Sequence, residues 1–274
     1  MSTGHYAIIG NPIAHTQSPL IYSMFAQATR QDMRYVALEG PLGGLAQAVD
    51  AFRTAGGRGM NVTAPFKLDV FHLATDLSGR ARLAGAANAL KFDGTRVYAD
   101  NFGGVGLVRD VVHNLACPLE GKRVLLLGTG GAARGAALSI FQQQPACLVV
   151  ASRDADKAQA LVTEVVDYWP VQACGYADLA GMTFDVVFNA TSANLGAQLP
   201  PVLPAVFAPG ALAYELAYGK GLTPFLRLAQ NAGVQRLADG VGMLVEQAAE
   251  AFAWWRGVRP QTRAVIDKLT VPLV

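Results

Sequence analysis

Near its middle the chain reads VLLLGTGGAARG from Val124 to Gly135, an apolar run followed by a glycine-rich turn and then by small residues that favour a helix. In such a strand–turn–helix unit, glycines let the backbone approach a pyrophosphate, and the first helix amides face the anion with the positive end of the helix dipole. The stretch therefore predicts a dinucleotide site. Its candidate residues are Gly128, Gly130, Gly131 and Ala132. The alternative interpretation is a tight strand-to-helix turn that binds no ligand.

The composition describes a chain with large apolar cores and little net charge. It has 274 residues, of which 52% are hydrophobic and 15% charged, and its formal net charge is +2. This length fits one large or two ordinary domains, and the weak charge gives no reason to expect nucleic acid or a membrane as a partner. No apolar run is long enough to span a bilayer, and the first residues lack the features of a signal peptide, so we expect a cytoplasmic protein.

The cysteines and histidines show no metal pattern. Cys117, Cys147 and Cys174 are widely spaced, and the four histidines are scattered. Neither set has the close spacing of metal ligands, so we expect no bound metal and three reduced thiols that pack like small apolar side chains.

Alternating apolar and amphipathic segments follow Arg123 and predict a parallel α/β sheet. The expected strands are 148–152, 185–191 and 211–216, and the expected helices are 155–166 and 224–230. This alternation is typical of strands joined by crossover helices, so the sheet should be covered on both faces. A nucleotide should then lie across the carboxyl ends of its strands.

The first hundred residues also alternate, but they contain no second glycine-rich nucleotide loop. They predict a strand at 6–9, a helix with Ser18 as N-cap and Pro19 in its first turn, a strand at 59–62, and a hairpin of 89–92 with 96–99 that turns at Asp93-Gly94.

These patterns predict an α/β fold with two domains. We interpret residues 1–105 as an α/β substrate-binding domain and residues 106–239 as a Rossmann-type dinucleotide-binding domain. Residues 240–274 should form helices that return to the first domain, with a hinge at 240–242.

The end of the second Rossmann strand selects the nicotinamide cofactor, because it faces the adenosine ribose. An acidic residue there favours NAD, whereas arginine pairs with the 2′-phosphate of NADP. Ser152, Arg153 and Lys157 can gather around such a phosphate, while Asp154 opposes it. We therefore expect NADP, with NAD as the competing possibility and a solvated surface cation as the alternative role of Arg153.

Eight motifs follow one another along nearly the whole chain. They are GNPIAHTQSP at 10–19, NVTAPFK at 61–67, AANAL at 86–90, DNFGGVG at 100–106, the glycine loop at 128–135, NATS at 189–192, KGLTPF at 220–225 and ADGVGMLVEQ at 238–247. Together they resemble the motifs of the shikimate dehydrogenase family. The resemblance implies a substrate domain, an NADP-binding Rossmann domain and C-terminal helices that return to the first domain.

The resemblance also implies an activity. The family interconverts 3-dehydroshikimate and shikimate reversibly with NADP in aromatic biosynthesis, and some members act on quinate or amino analogues. We therefore expect a cyclic carboxylate polyol as the small-molecule substrate and a monomer or homodimer as the assembly.

Oxidation of an alcohol requires hydride transfer, proton transfer and a fixed substrate orientation. Lys67 is the natural proton-transfer residue, because an ammonium also stabilises developing alkoxide charge, and the lysine at this motif position is catalytic in the family. The resemblance assigns substrate contacts to Thr16, Ser18, Thr63, Asn88, Tyr218 and Gln247. It adds four cofactor residues to those above, namely Thr191, Ser192, Gly240 and Met243.

One of these residues departs from the family motif, and two have an alternative structural role. Thr16 stands where the family motif usually has serine, so its methyl group should narrow the carboxylate pocket. Ser18 could act only as a helix N-cap, and both roles can coexist because helix amides favour an anion. Met243 could fill the core instead of packing on the nicotinamide.

The largest departure lies at 100–104. The family motif reads Asp-Asn-Thr-Asp-Gly, whereas this chain has Phe102 for the threonine and Gly103 for the aspartate that partners the lysine. Asp100 lies three positions away, and we expect it to point elsewhere. Because a nearby carboxylate favours the charged form of an ammonium, Lys67 should have a lower pKa than the family lysine.

This departure leaves several functional hypotheses. The chain should be a divergent paralogue with a weakened or altered dehydrogenase activity, in which water could replace part of the lost carboxylate. The alternatives are a quinate or aminoshikimate dehydrogenase, and a cofactor-binding regulator or sensor with little or no turnover. Retention of Lys67, Thr63, Asn88 and Gln247 argues against the sensor, because a sensor needs no proton donor.

Overall fold

The computed structural model describes residues 3–165, 171–191 and 199–274. The chain forms two compact units. The first comprises Met1–Gly103 and Val245–Val265, and the second comprises Gly104–Leu244 and Ile266–Val274. The assignment of substrate binding to residues 1–105, of cofactor binding to 106–239 and of a returning tail to 240–274 stays a prediction.

The first unit is built on a six-stranded mixed sheet with strand order β2-β1-β3-β5-β6-β4. Its strands are β1 (Gly4–Gly10), β2 (Met33–Glu39), β3 (Gly57–Val62), β4 (Asp76–Leu77), β5 (Ala89–Asp93) and β6 (Arg96–Asp100). Its helices up to Gly103 are α1 (Ser18–Thr29), α2 (Leu45–Thr54), α3 (Asp69–Leu73) and α4 (Gly79–Ala84). Buried apolar residues of β1 and β3, such as Ile9 and Met60, pack with Val49 of α2 and form its core.

The strand directions bring the sequence motifs to one edge of this sheet. β1 and β3 are parallel, so both end at the same edge, at Gly10 and Val62. β5 is antiparallel to β3, with Ala89 opposite Asn61, and β6 is antiparallel to β5. The end of β1, the end of β3, the start of β5 and the end of β6 therefore lie side by side.

One local prediction in this unit was wrong, and the predicted hairpin is confirmed with its turn shifted by one residue. Gln17, not Ser18, is the N-cap of α1, and no side chain caps this helix end. Ser18 is instead the first helical residue, and its backbone N–H donates to the Thr16 hydroxyl at 3.3 Å. The hairpin pairs Asp93 with Arg96, so its loop is Gly94-Thr95, where Gly94 takes the positive φ of 56° that a two-residue turn needs.

The second unit contains a six-stranded sheet in which every neighbouring pair is parallel. Its strands are β7 (Arg123–Leu127), β8 (Cys147–Ser152), β9 (Val171–Gly175), β10 (Phe184–Asn189), β11 (Phe207–Glu215) and β12 (Arg236–Ala238). Its helices are α5 (Gly103–Arg109), which runs into a π-helical turn at Asp110–Asn114, α6 (Gly131–Phe141), α7 (Ala155–Val165) and α8 (Pro224–Asn231). The predicted parallel α/β arrangement is confirmed.

The strand order β9-β8-β7-β10-β11-β12 is that of the Rossmann fold. Successive residues of β7 alternate between two cores, with Leu126 in one and Leu125 and Leu127 in the other. The sheet is therefore covered on both faces. The order reverses between β7 and β10, and the carboxyl ends of the strands at this switch point are where ligands bind in such sheets.

Two helices end the chain, α9 (Val241–Arg256) and α10 (Arg263–Leu269). Within the described ranges, no helix is long and apolar enough to cross a membrane. In the same residues, no group of three or more His, Cys, Asp or Glu side chains could hold a metal ion. The three cysteines are free thiols.

Candidate active site

A cavity of about 980 Å³ opens at the carboxyl ends of the Rossmann strands. Six of its lining residues were predicted to bind cofactor, namely Gly128, Gly130, Ser152, Arg153, Lys157 and Thr191. They follow β7, β8 and β10, so the topology alone brings them together.

Position 128 of the glycine turn has no room for a side chain. Its φ is +108°, which residues with a Cβ rarely adopt. A Cβ there would lie 2.9 Å from the carbonyl oxygen of Ala190 and 3.1 Å from the amide nitrogen of Thr191. The turn is thus packed directly on the end of β10, while Gly130 forms the N-cap of α6 and leaves space for a ligand above it.

The far end of the cavity carries the predicted phosphate-binding cations. Arg153 and Lys157 are exposed, and Ser152 is buried beside them. Asp154 accepts backbone N–H bonds of Asp156 and Lys157 at 3.1 and 3.3 Å through Oδ1, and its Oδ2 lies 3.8 Å from the Lys157 ammonium. Asp154 therefore holds the start of α7, which gives this acidic residue a structural role beside the two cations.

The remaining predicted cofactor residues lie outside the cavity wall or outside the described residues. Gly131 and Ala132 form the exposed first turn of α6. Gly240 and Met243 lie at the start of α9, and Met243 is half-buried against the apolar core of the second unit. Ser192 lies outside the described residues.

Gly240 has a steric reason to be glycine. A Cβ on Gly240 would collide with the Leu216 carbonyl oxygen, and its N–H donates to the Ala217 carbonyl at 3.0 Å. The start of α9 is thereby fixed to the end of β11.

The sequence reasoning missed several residues of the cavity wall. These are Thr129, Tyr176, Ala190, Leu199, Pro200 and Pro201. Tyr176 directly follows β9, so its position after the third Rossmann strand was the available signal. Burial raises the pKa of Tyr176 and the charge of Arg153 opposes this, which places the phenol near the guanidinium.

The first unit presents the predicted substrate residues at the sheet edge described above. Thr16 and Ser18 lie in the segment that follows β1, where the Thr16 hydroxyl donates to the Ser18 hydroxyl at 3.2 Å. Ser18 is nearly buried and Thr16 half-buried. The two predicted carboxylate-binding hydroxyls therefore form one hydrogen-bonded pair.

A tyrosine pair that the sequence analysis did not single out lies behind these hydroxyls. Tyr22 and Tyr35 stack with ring centroids 4.1 Å apart. The Tyr35 hydroxyl donates to Asn61 Oδ1 at 2.7 Å, and burial, with the neighbouring Tyr22 second, raises its pKa well above the ordinary value. This bond fixes the orientation of the Asn61 amide, whose Nδ2 donates to the Asn88 carbonyl at 3.3 Å.

Lys67 lies in the turn after β3. The Phe66 N–H donates to the Thr63 carbonyl at 3.0 Å, and the Ala87 N–H donates to the Lys67 carbonyl at 3.1 Å. Lys67 is solvent-accessible, yet the protein around its ammonium displaces part of its hydration and lowers its pKa from the ordinary value. Desolvation is the cause of this shift, and it increases the neutral fraction that can accept a proton.

Asn88 joins distant parts of the chain at this edge. Its Oδ1 accepts the Phe102 N–H at 3.0 Å, and its Nδ2 donates to Gln247 Oε1 at 3.2 Å. The second bond leaves both Nε2 protons of Gln247 available as donors. Asn88 and Gln247, which are 159 positions apart, are thus brought together as one amide pair.

Gly103 is buried, and its N–H donates to Asn101 Oδ1 at 3.1 Å. Asp100 does not replace the missing carboxylate. Its Oδ1 accepts from the Ser78 hydroxyl at 2.5 Å and from the Asn101 N–H at 2.7 Å, and Arg80 donates to both of its oxygens. Asp100 is a buried structural anion, as its distance along the motif indicated.

Phe102 occupies an apolar pocket in the first unit. Its ring packs against Trp254 at 5.6 Å, and the Arg80 guanidinium lies 5.2 Å from the ring centroid. Tyr218 lies in the second unit, after β11, and its side chain is 43% exposed. It is therefore not part of the cluster formed within the first unit.

A Rossmann sheet with a glycine turn beside a cavity, and a lysine at the same sheet edge as a hydroxyl pair and an amide pair in the other unit, are features of a dinucleotide-dependent α/β oxidoreductase. Three family models match: the shikimate dehydrogenase substrate binding domain at residues 8–90, shikimate / quinate 5-dehydrogenase at 110–196, and the shikimate 5′-dehydrogenase C-terminal domain at 240–270. The shikimate dehydrogenase (NADP(+)) of Dechloromonas aromatica is 52% identical over 269 residues, which is 98% of each chain. The chain belongs to the shikimate dehydrogenase family.

Solved structures agree with this placement. An Ael1 enzyme from Pseudomonas putida is 58% identical, with a TM-score of 0.95 over 99% of this chain and all of that one. Shikimate 5-dehydrogenase from Thermus thermophilus, solved with NADP(H) and shikimate, is 26% identical, with a TM-score of 0.84 over 97% and 98% of the two chains. The predicted α/β fold, with a substrate-binding domain and a Rossmann-type domain, is confirmed.

Proposed function

We propose that this chain is an NADP-dependent shikimate dehydrogenase that interconverts 3-dehydroshikimate and shikimate, or a close cyclic carboxylate polyol. The observation that carries the proposal is the bonded amide pair of Asn88 and Gln247 at the sheet edge where Lys67 follows β3, in a chain whose other unit has a glycine-lined cavity. The 52% identity to a full-length NADP-dependent shikimate dehydrogenase supports it.

The residues present fit NADP. The Gly128 turn packs on the end of β10, the positions of Gly130 and Gly131 have open space around them, and the adjacent cavity is lined by Arg153 and Lys157. We assign the pyrophosphate to the glycine turn and the first turn of α6, and the 2′-phosphate to Ser152, Arg153 and Lys157. When bound, NADP supplies the hydride acceptor, and NADPH the hydride donor, of the reaction. NAD remains a slower alternative because Asp154 lies beside the cations.

Lys67 handles the proton. In the direction of ketone reduction, its ammonium donates a proton to the oxygen that becomes the alcohol, and in oxidation the neutral amine accepts that proton. The lowered pKa favours the second role, since a base works best when its pKa approaches the working pH.

The hydroxyls and amides hold the substrate. Thr16 and Ser18 donate to the carboxylate, and Thr63, Asn88 and Gln247 orient the ring hydroxyls. Asn88 donates to Gln247 and accepts the Phe102 N–H, so the two amides are oriented before substrate binds. Tyr218 from the second unit is a further proposed substrate contact.

The absence of a carboxylate at Gly103 favours a second candidate function. A family aspartate at this position would accept a substrate hydroxyl bond and hold Lys67 charged. Its loss favours a changed substrate, such as quinate or an aminoshikimate, or a cofactor-binding sensor with little turnover. We favour shikimate turnover at a reduced rate over these alternatives, because Lys67, Asn88 and Gln247 are all present.

The proposal is tested by steady-state oxidation of shikimate and quinate with NADP and with NAD. We expect NADP-linked shikimate oxidation, and a loss of at least about a hundredfold in kcat for Lys67→Met, the scale of a lost acid–base group. Lys91→Met is the matched control, because Lys91 is bonded to the Trp254 carbonyl. Tight NADP binding without turnover of any cyclohexane carboxylate would instead support the sensor.

We further propose a cytoplasmic location, a monomer or homodimer, and no nucleic-acid or membrane partner. The formal net charge of +2 and the biosynthetic family support these assignments. Size-exclusion chromatography with light scattering tests the assembly.

A further inference from the structure

A buried hydrogen-bonded relay lies beneath the start of α9 in the second unit. Tyr214, on β11, is fully buried, and its hydroxyl donates to Asp110 Oδ2 at 2.7 Å. The same hydroxyl accepts the backbone N–H of Met243 at 3.3 Å. The relay therefore runs from a helix N-terminal amide through a phenol to a carboxylate.

Steric contacts hold the same segment. A Cβ on Gly242 would collide with the Asp110 carboxylate, so the anion packs directly against the backbone of the first turn of α9. Asp110 is itself buried, and its Oδ1 accepts from Asn114 Nδ2 at 2.9 Å. An anion at this helix end is favoured by the exposed amides and the helix dipole.

A second acidic residue fixes the residues just before the helix. Asp239 accepts the Val241 N–H at 3.2 Å through Oδ1 and the Gly219 N–H at 3.0 Å through Oδ2. The turn that carries Tyr218 and the segment that carries Gly240 and Met243 are thus tied together. Asp239 therefore fixes the segment before α9, while Tyr214 and Asp110 hold the first turn of the helix.

We infer that Asp110 and Tyr214 are positioning residues for the nicotinamide half of the cofactor, acting through the backbone of Gly242 and Met243. This inference rests on the proposed function. Both side chains are buried, so their effect on the ligand is indirect. Asp110 and Tyr214 fix the positions of the Met243 side chain and the Gly240 backbone.

The test separates the two halves of the cofactor. Calorimetry on the full chain measures the Kd of NADP and of 2′,5′-ADP, which carries only the adenosine phosphate end. For Tyr214→Phe and Asp110→Asn we expect the Kd of NADP to rise about tenfold, the effect of losing one charged hydrogen bond. The Kd of 2′,5′-ADP should stay within about twofold of the native value. The value of kcat should fall in both variants, because the nicotinamide is no longer held in position.

Asn114→Ala is the matched control. It removes the Asn114 hydrogen bond to Asp110 but leaves the bond from the Met243 N–H to Tyr214, so its NADP affinity should stay near that of the native chain. Thermal melting establishes that each variant is folded.

The outcomes are distinguishable. If NADP and 2′,5′-ADP weaken equally in Tyr214→Phe and Asp110→Asn, or if neither weakens, the inference is wrong while the proposed function stands. A native chain that binds neither ligand overturns the proposed function and the inference together.

Discussion

Restoring a carboxylate at position 103 tests how this chain works without one. Gly103 is the first residue of α5 and is not among the glycines with positive φ, so an aspartate needs no backbone strain there. Asp100 cannot already supply the charge, because both of its oxygens are occupied by Ser78, Arg80 and Asn101. A charged hydrogen bond contributes about 1.5–3 kcal/mol, so kcat/KM for shikimate should rise about tenfold to a hundredfold in Gly103→Asp.

The same substitution should move the pH profile. Desolvation lowers the pKa of Lys67 in the native chain, and a neighbouring carboxylate favours the ammonium and raises that pKa. Oxidation needs the neutral amine, so kcat/KM rises with pH through this pKa. The rising limb should therefore lie at higher pH in Gly103→Asp than in the native chain.

The assay is the initial rate of NADPH formation from shikimate across a pH series. Gly103→Asn is the matched control, because it has the same shape without the charge, and it should leave the pH profile unchanged. If Gly103→Asp is folded and binds NADP but changes neither the rate nor the rising limb, the explanation of the missing aspartate is wrong.

Three further perturbations follow from the described contacts. Arg153→Ala should raise the KM for NADP about tenfold or more and leave that for NAD nearly unchanged, whereas Arg123→Ala, whose partner is Asp185, should change neither. Gly128→Ala should lower the free energy of unfolding by about 1–3 kcal/mol and weaken NADP binding, because alanine is strained at this positive φ and its Cβ would clash with the Ala190 carbonyl. An unchanged melting temperature and an unchanged NADP affinity would contradict this. Thr16→Val should raise the KM for shikimate about fivefold to tenfold through loss of its hydroxyl, while Thr16→Ser should lower it or leave it unchanged.

The sequence predicted the second unit well because its signals are local. The apolar run ending at Gly128 and the regular alternation after it fix a parallel sheet, and the Rossmann strand order then places Ser152 and Thr191 at the same edge as the glycine turn. Ser18 was misplaced as N-cap because a Ser-Pro pair looks like a helix start in either of two registers. The actual register leaves Ser18 inside the helix with its N–H bonded to Thr16.

The site in the first unit was less predictable because its bonds join residues far apart in the chain. Asn88 and Gln247 are bonded although they are 159 positions apart. Only the family resemblance predicted that both contact the substrate. The engagement of Asp100 by Arg80, the Tyr22–Tyr35 stack and the place of Tyr176 in the cavity wall have no local sequence signal beyond strand position.

The bond between Asn88 and residue 102 has an evolutionary consequence. Asn88 Oδ1 is held by the backbone N–H of Phe102, which every residue except proline can supply. The side chain at this position can therefore change from the family's threonine to phenylalanine without disturbing the amide that orients substrate. When a substrate-orienting side chain is held by a main-chain group, the neighbouring side chains can be substituted without loss of that bond. An enzyme of this kind can therefore change its substrate preference by substitution while its site geometry is kept.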